Sequence, residues 1–151
     1  MVVIAHDMDV LVLLITHYEK MGCTTLMMKA GTLKNPEYIP IHDIHRQIPK
    51  DQISSMLAFH AITGCDSVSQ LSGHIKKTAW RIFQEHYNNL TSLRKEQFTR
   101  NISKSAAKFI CQLYGAPEAG NCDNAQVKLF YIGRAQEALP PTSDAAQFHI
   151  K

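Results

Sequence analysis

The chain opens with the stretch Val2-Val3-Ile4-Ala5-His6-Asp7-Met8-Asp9, which decides the fold class. Its four leading residues are apolar and three of them are β-branched, a composition typical of a buried strand in a parallel sheet covered on both faces. Residues 6–9 would then form the loop at the carboxyl end of that strand. This stretch therefore predicts an α/β fold with acidic side chains at one edge of the sheet.

The segments that follow complete a strand-helix-strand pattern. Residues 10–20 suit either a strand or a buried helix, and a helix is favoured because Asp9 can cap its start and Gly22 can end it. A second strand is predicted for residues 24–29 and a short third strand for residues 38–41. Strand, helix, strand is the pattern of a parallel α/β sheet.

The remainder of the chain is predicted to be mainly helical. Pro49 is expected to open a helix at its N1 position, and Gly64 to stop that helix after Ile62. Further helices are predicted for residues 77–86, 93–101, 103–114 and 123–132, and Ser143-Asp144 would start a last one. The predicted fold is thus a partial parallel sheet of two or three strands with helices, followed by a mainly helical C-terminal region.

Length and composition indicate one ordinary globular unit. The 151 residues are 45% hydrophobic and 19% charged, which argues against wholesale disorder. The apolar runs are too short for a signal peptide or a bilayer-spanning helix, so no membrane partner is predicted. The four cysteines form no C-x-x-C pair, which favours reduced thiols and an intracellular location, nuclear or cytoplasmic.

Three aspartates form the candidate metal site. Asp7 and Asp9 follow the first strand, and ligands of open α/β sheets collect beyond the carboxyl ends of strands. Asp66 comes two residues after Gly64, which stops the predicted helix. Carboxylates in such loops suit Mg²⁺ or Mn²⁺. The alternative is that Asp7 is a loop residue and Asp9 a plain helix cap, since D-x-D is frequent by chance.

A basic segment lies beyond these motifs. The net charge of +3 is too small to indicate a nucleic-acid partner by itself, but residues 66–108 hold eight basic and three acidic side chains. Such an excess can neutralise phosphates, and it can equally be the solvated surface of helices. The basic residues are Lys76, Lys77, Arg81, Arg94, Lys95, Arg100, Lys104 and Lys108.

The order of these motifs resembles a known family. Asp7-Met8-Asp9 after a strand, then Gly64-Cys65-Asp66, then Gly73 with Lys76-Lys77 before a helix, is similar to the flap endonuclease and XPG-type nucleases of the PIN-like superfamily. The resemblance covers about residues 2–83. The segment from Phe59 to Asp66 also resembles a group of uncharacterised animal proteins related to mobile elements.

The resemblance implies a function and a set of site residues. Asp7, Asp9 and Asp66 would be metal ligands and catalytic residues, with Mg²⁺ or Mn²⁺ as cofactor. Gly73, Lys76, Lys77 and Arg81 would hold the phosphates of a DNA or RNA partner. Residues 1–88 would be the C-terminal part of a PIN-like nuclease domain including its helical hairpin. Residues 89–151 would be a truncated helical extension.

Departures from the family pattern leave a second function open. The family's earlier acidic residues have no counterpart here, and Ile75 occupies a hairpin position that is usually glycine. One hypothesis is therefore a metal-dependent phosphodiesterase, completed by preceding sequence or by a partner chain that fills the sheet. The alternative is an inactive remnant that binds nucleic acid or protein.

The histidines give weaker signals. His42 and His45 flank Asp43 on a predicted helix, a spacing that suggests zinc, but no further ligand follows and an exposed polar face is favoured. His60 is interpreted as a buried or capping histidine rather than a general base.

Overall fold

The computed structural model describes residues 1–64, 76–94 and 100–150. It contains a small mixed sheet with strands β1 (Val2–Ile4), β2 (Met27–Gly31) and β3 (Pro36–Pro40), in the order β1-β2-β3. In the described residues the chain is α/β and mainly helical. The predicted α/β class is therefore confirmed.

The expectation of a wholly parallel sheet is wrong for one of the two strand pairs. Strand β1 runs parallel to β2, with Val3 opposite Met28, but β3 runs antiparallel to β2, with Ile39 opposite Met28. The reason is a tight connection: the amide of Thr32 donates to the carbonyl of Asn35 over 3.1 Å. Only an antiparallel pair can be joined by so short a loop.

The helix after β1 begins earlier than predicted. Helix α1 spans Met8–His17 and is followed by a 3-10 helix, Tyr18–Met21. Gly22 has a φ of 63°, so it ends the helical run as predicted. The cap is Asp7 rather than Asp9, because Asp7 Oδ1 accepts from the amide of Asp9 at 2.9 Å. Asp9 itself lies in the first helical turn.

The middle helices agree with the sequence to within a residue or two. Helix α2 spans Ile41–Gln47, and α3 spans Lys50–Ile62 with Pro49 at its N-cap rather than at N1. Gly64, with a φ of 96°, follows the end of α3 as predicted. Helix α4 spans Lys76–His86.

The C-terminal region is helical, although its divisions differ from those predicted. A 3-10 helix covers Tyr87–Arg94, and α5 spans Arg100–Leu113 as one continuous helix. The prediction of a separate helix for residues 93–101 is therefore wrong for the residues of this range that are described, 93–94 and 100–101. Helices α6 (Cys122–Tyr131) and α7 (Ser143–Ile150) follow.

Two groups of buried side chains form the core. The sheet cluster joins β2 to helices α1, α2 and α3, and its buried members are Val12, Leu14, Ile15, Leu26, Met28, Ile41 and Met56. The helical cluster is larger and centres on Phe59, Phe83 and Phe109, which belong to α3, α4 and α5. Trp80 packs against both clusters and connects them. The predicted boundary between a nuclease-like part, residues 1–88, and a helical extension, residues 89–151, stays a prediction.

No helix of the described residues covers one face of the sheet. Val3 and Ile39 pack against the sheet cluster, whereas Val2, Ile4 and Tyr38 are 55%, 72% and 52% exposed. Strand β1 is also an edge of the sheet that the described residues form. The expectation that β1 is buried on both faces is therefore wrong, because the helices that the structure describes pack against one side of the sheet.

Candidate functional site

Asp7 and Asp9 lie where β1 ends and α1 begins. The backbone of Asp7 is extended (φ −100°, ψ 137°), which lets its carboxylate turn back onto the first free amides of α1. Asp9, in the first turn of α1, benefits from the positive end of the helix dipole. The carboxyl end of the strand thus presents both acidic side chains, as the sequence predicted.

Asp9 has a partner that the sequence did not indicate. His60 Nε2 lies 2.5 Å from Asp9 Oδ1, within hydrogen-bond distance, with the imidazole donating. The side chains are 11% and 31% exposed, respectively. His60 is buried, as interpreted from the sequence, but it also occupies the candidate site. No local signal could reveal this, because 51 residues separate the two positions.

The last turn of α3 holds His60 in place. Thr63 Oγ1 donates to the carbonyl of Phe59 at 2.9 Å, which secures the end of the helix. Phe59 is itself fixed in the helical cluster, with its ring centroid 4.6 Å from that of Phe83. His60 therefore belongs to a rigid element, while Asp9 is partly open to solvent.

The remaining predicted site residues are only partly described. Asp66 and Gly73 lie outside the described residues, as does the side chain of Lys76 at the start of α4. Lys77 and Arg81 are exposed on α4. A separation of four residues places these two cations on one side of the helix. The structure thus brings Asp7, Asp9 and His60 to one end of β1, and places Lys77 and Arg81 on the α4 surface.

The donor atoms present are suited to a divalent cation with water in its open positions. Carboxylates suit Mg²⁺ and Mn²⁺, and imidazole adds a nitrogen donor that Mn²⁺ and Zn²⁺ accept. Among the described residues, no set of three or more His, Cys, Asp or Glu side chains converges on one ion position. The described part of the chain therefore offers a two-donor site at Asp9 and His60, with Asp7 engaged as a helix cap.

The histidines of α2 link that helix to its neighbours. His45 Nδ1 lies 2.8 Å from the carbonyl of Ile15, in the last turn of α1, where helix carbonyls lack partners within the helix. His42 Nδ1 lies 2.9 Å from the carbonyl of Leu26. His45 is 9% exposed, so the interpretation of an exposed polar face is wrong for it. Both rings satisfy backbone acceptors.

A small polar cavity lies beside His45. Its volume is about 160 Å³, and its lining includes Thr16, Lys20 and Ser54. Glu19 Oε1 lies 3.3 Å from Lys50 Nζ and 3.6 Å from His45 Nε2. The hydrogen bond and positive charge of Lys50, with a further contribution from His45, lower the pKa of the Glu19 carboxyl.

Lys50→Met is expected to raise the pKa of Glu19 toward the ordinary value for glutamate. A lowered folded-state pKa stabilises the protein above the unfolded-state pKa, and this contribution is lost as pH falls through the folded-state pKa. The contribution is small because both groups are exposed. An NMR titration of the Glu19 carboxyl carbon measures the shift. Lys20→Met is the control, with a smaller expected change; an equal change in both variants would contradict the assignment.

Cys122 is a buried thiol that is held in its protonated form. Cys111 and Cys122 are fully buried, and a hydrogen bond between them together with burial raises the pKa of the Cys122 thiol. Burial also raises the pKa of the adjacent Tyr114 to about 12. Among the described residues, Cys23, Cys111 and Cys122 form no disulfide. A raised pKa opposes thiolate chemistry at Cys122.

An apolar surface is exposed on α6. Four large apolar side chains are exposed here: Val127 (54%), Phe130 (63%), Tyr131 (83%) and, at the C-cap of the helix, Ile132 (68%). The first three line a groove of about 520 Å³ together with Gln126, Gln136 and Leu139. Clustered exposed apolar side chains are typical of contact surfaces.

Comparisons with family models, curated proteins and solved structures give no match to this chain. The resemblance to PIN-like nucleases therefore stays a prediction from the motifs. Within the described residues, no helix has the length and apolar character needed to cross a membrane.

Proposed function

We propose that this chain is a nuclease-related domain that hydrolyses phosphodiester bonds of DNA or RNA with Mg²⁺ or Mn²⁺, in the nucleus or cytoplasm. The observation that carries the proposal is the position of Asp7 and Asp9 at the carboxyl end of β1, with the Asp9 carboxylate partly open to solvent. This is where open α/β sheets hold their ligands.

Each proposed role follows from the chemistry of the residue. Asp9 would bind the metal directly, and Asp7 would fix the first turn of α1 and offer its second carboxylate oxygen. Asp66, two residues beyond Gly64 in the sequence, would add a third carboxylate. A bound divalent ion supplies activation of water and neutralisation of phosphate charge. Lys77 and Arg81, with Lys76 and the Gly73 backbone, would hold the nucleic-acid phosphates.

The open sheet supports the idea that a further segment completes the domain. The carbonyl of Met1 accepts from the amide of Met27 in β2, and the amide of Ala5 donates to the carbonyl of Lys29. Because backbone groups alternate in direction along a strand, those of Val2 and Ile4 point toward the free edge of β1. Preceding sequence or a partner chain would therefore add a strand at β1 and supply further carboxylates.

The test is cleavage of labelled single-stranded, duplex and flap DNA, and of RNA, in Mn²⁺ and in Mg²⁺. Asp9→Asn is expected to reduce the rate by roughly 100-fold, a loss of about 2.7 kcal/mol in transition-state stabilisation. Asp66→Ala is expected to reduce it similarly. Asp43→Asn, which removes a surface carboxylate paired with Arg46, is the control and should cleave normally.

A catalytically inactive binding remnant is the second candidate. Two observations favour it: Asp7 and Asp9 already have structural partners, and the α6 surface is apolar and exposed. Two results together would support the remnant over the nuclease. The first is absence of cleavage in either metal. The second is salt-sensitive binding of DNA or RNA that survives Asp9→Asn and weakens when Lys77 and Arg81 are both replaced by glutamine.

A further inference from the structure

We propose that His60 is a ligand of the divalent ion bound by Asp9, so that the site selects Mn²⁺ or a similar nitrogen-accepting ion over Mg²⁺. The proposal rests on the proposed function, because both place the ion at Asp9. It adds a ligand from α3 that none of the sequence motifs includes, and it names the class of metal.

The distance between the two donor atoms suits a chelate. Nε2 of His60 and Oδ1 of Asp9 are 2.5 Å apart. Two neighbouring ligands at about 2.1 Å from an octahedral ion are roughly 3 Å apart. The atoms must therefore separate by about half an ångström, after the proton between them leaves to solvent. Asp9 can make this adjustment because its side chain is 31% exposed, while His60 stays fixed in α3.

The local electrostatics favour a cation at this place. His60 belongs to the last turn of α3, where the helix dipole presents its negative end. The start of α1 has the opposite sign, and the carboxylates of Asp7 and Asp9 offset it. A cation beside His60 Nε2 therefore meets the Asp9 carboxylate and the carboxyl end of a helix.

The nitrogen donor determines the choice of metal. Mg²⁺ prefers oxygen ligands and keeps most of its water, whereas imidazole suits transition metals. A carboxylate-imidazole pair with water in the open positions is thus better matched to Mn²⁺ or Zn²⁺. Mn²⁺ is the useful probe, because its electron spin reports directly on bound nitrogen.

Electron spin echo modulation of the full chain with Mn²⁺ tests the proposal. We expect nitrogen-14 modulation in the parent chain, replaced by a nitrogen-15 pattern when the histidine rings are labelled. This labelling requires no substitution, so a folding defect cannot obscure the result. A large excess of Mg²⁺ is expected to leave most of the Mn²⁺ bound.

Variants then identify the histidine. His60→Gln is expected to abolish the modulation and to weaken Mn²⁺ binding by roughly 10-fold or more. His6→Gln, which removes an exposed histidine next to Asp7, is the control and should retain both. Asp9→Asn should weaken Mn²⁺ binding as strongly as His60→Gln. Circular dichroism of each variant confirms that the helices are formed.

The outcomes separate this inference from the proposed function. Nitrogen modulation that depends on His60, without nucleic-acid cleavage, supports the ligand and contradicts the nuclease. Bound Mn²⁺ with cleavage but without nitrogen modulation overturns the ligand and leaves the nuclease. Absence of Mn²⁺ binding, or modulation that persists in a folded His60→Gln variant, also overturns the inference.

Discussion

Phe83→Ala is expected to lower the free energy of unfolding by about 3–5 kcal/mol. Phe83 is fully buried in the helical cluster, and its ring centroid lies 4.6 Å from that of Phe59 and 5.2 Å from that of Trp80. Truncation removes the transfer free energy of the ring and leaves a cavity between α3 and α4. The loss is comparable with the whole stability of many small domains.

Urea unfolding followed by circular dichroism measures this effect. Phe130→Ala is the matched control, because the same side chain is removed where it is 63% exposed. That variant is expected to change the free energy of unfolding by about 0.5 kcal/mol or less. Similar losses in the two variants would contradict the assignment of Phe83 to the core and Phe130 to the surface.

Gly31→Ala is expected to lower the free energy of unfolding by roughly 2–4 kcal/mol. Gly31 ends β2 with a φ of 79°, a conformation that costs an L-residue about 1–2 kcal/mol. An added Cβ would also collide with the backbone carbonyl oxygen of Asn35 and lie 3.1 Å from the amide nitrogen of Glu37. These atoms belong to the β2-β3 connection and to the start of β3, so relief requires distortion of the hairpin.

Gly22→Ala separates the cost of the positive φ at Gly31 from the cost of the collision with the added Cβ. Gly22 also has a positive φ, 63°, but no atom outside its immediate neighbours lies within 4 Å of the position that a Cβ would occupy. Thermal unfolding should therefore show a loss of about 1 kcal/mol for Gly22→Ala and a clearly larger loss for Gly31→Ala. Equal losses would mean that the connection relaxes around the added methyl group.

The helical cluster also matters for the candidate site. Phe59, which contacts Phe83, immediately precedes His60 in α3. The position of His60 against Asp9 thus depends on the packing of α3 against α4 and α5. Site geometry is a property of the folded core rather than of the residues near Asp9 in the sequence.

Local sequence signals located most of the helices and strands. Gly22 and Gly64 end helical runs because each takes a positive φ that favours glycine, and Pro49 precedes a helix because its φ is fixed. The direction of β3 was not predictable from its apolar pattern, since the same alternation serves parallel and antiparallel strands. The hydrogen bonds of the Thr32–Asn35 turn decide it.

The sequence by itself determined that acidic side chains follow β1, because a short β-branched run and a helix cap are local properties of residues 2–9. Only the tertiary structure decided that His60 meets Asp9 and that Val2 and Ile4 of β1 are exposed. The physical reason is distance along the chain. Contacts between residues 51 positions apart depend on how whole elements pack, and local patterns contain no information about that packing.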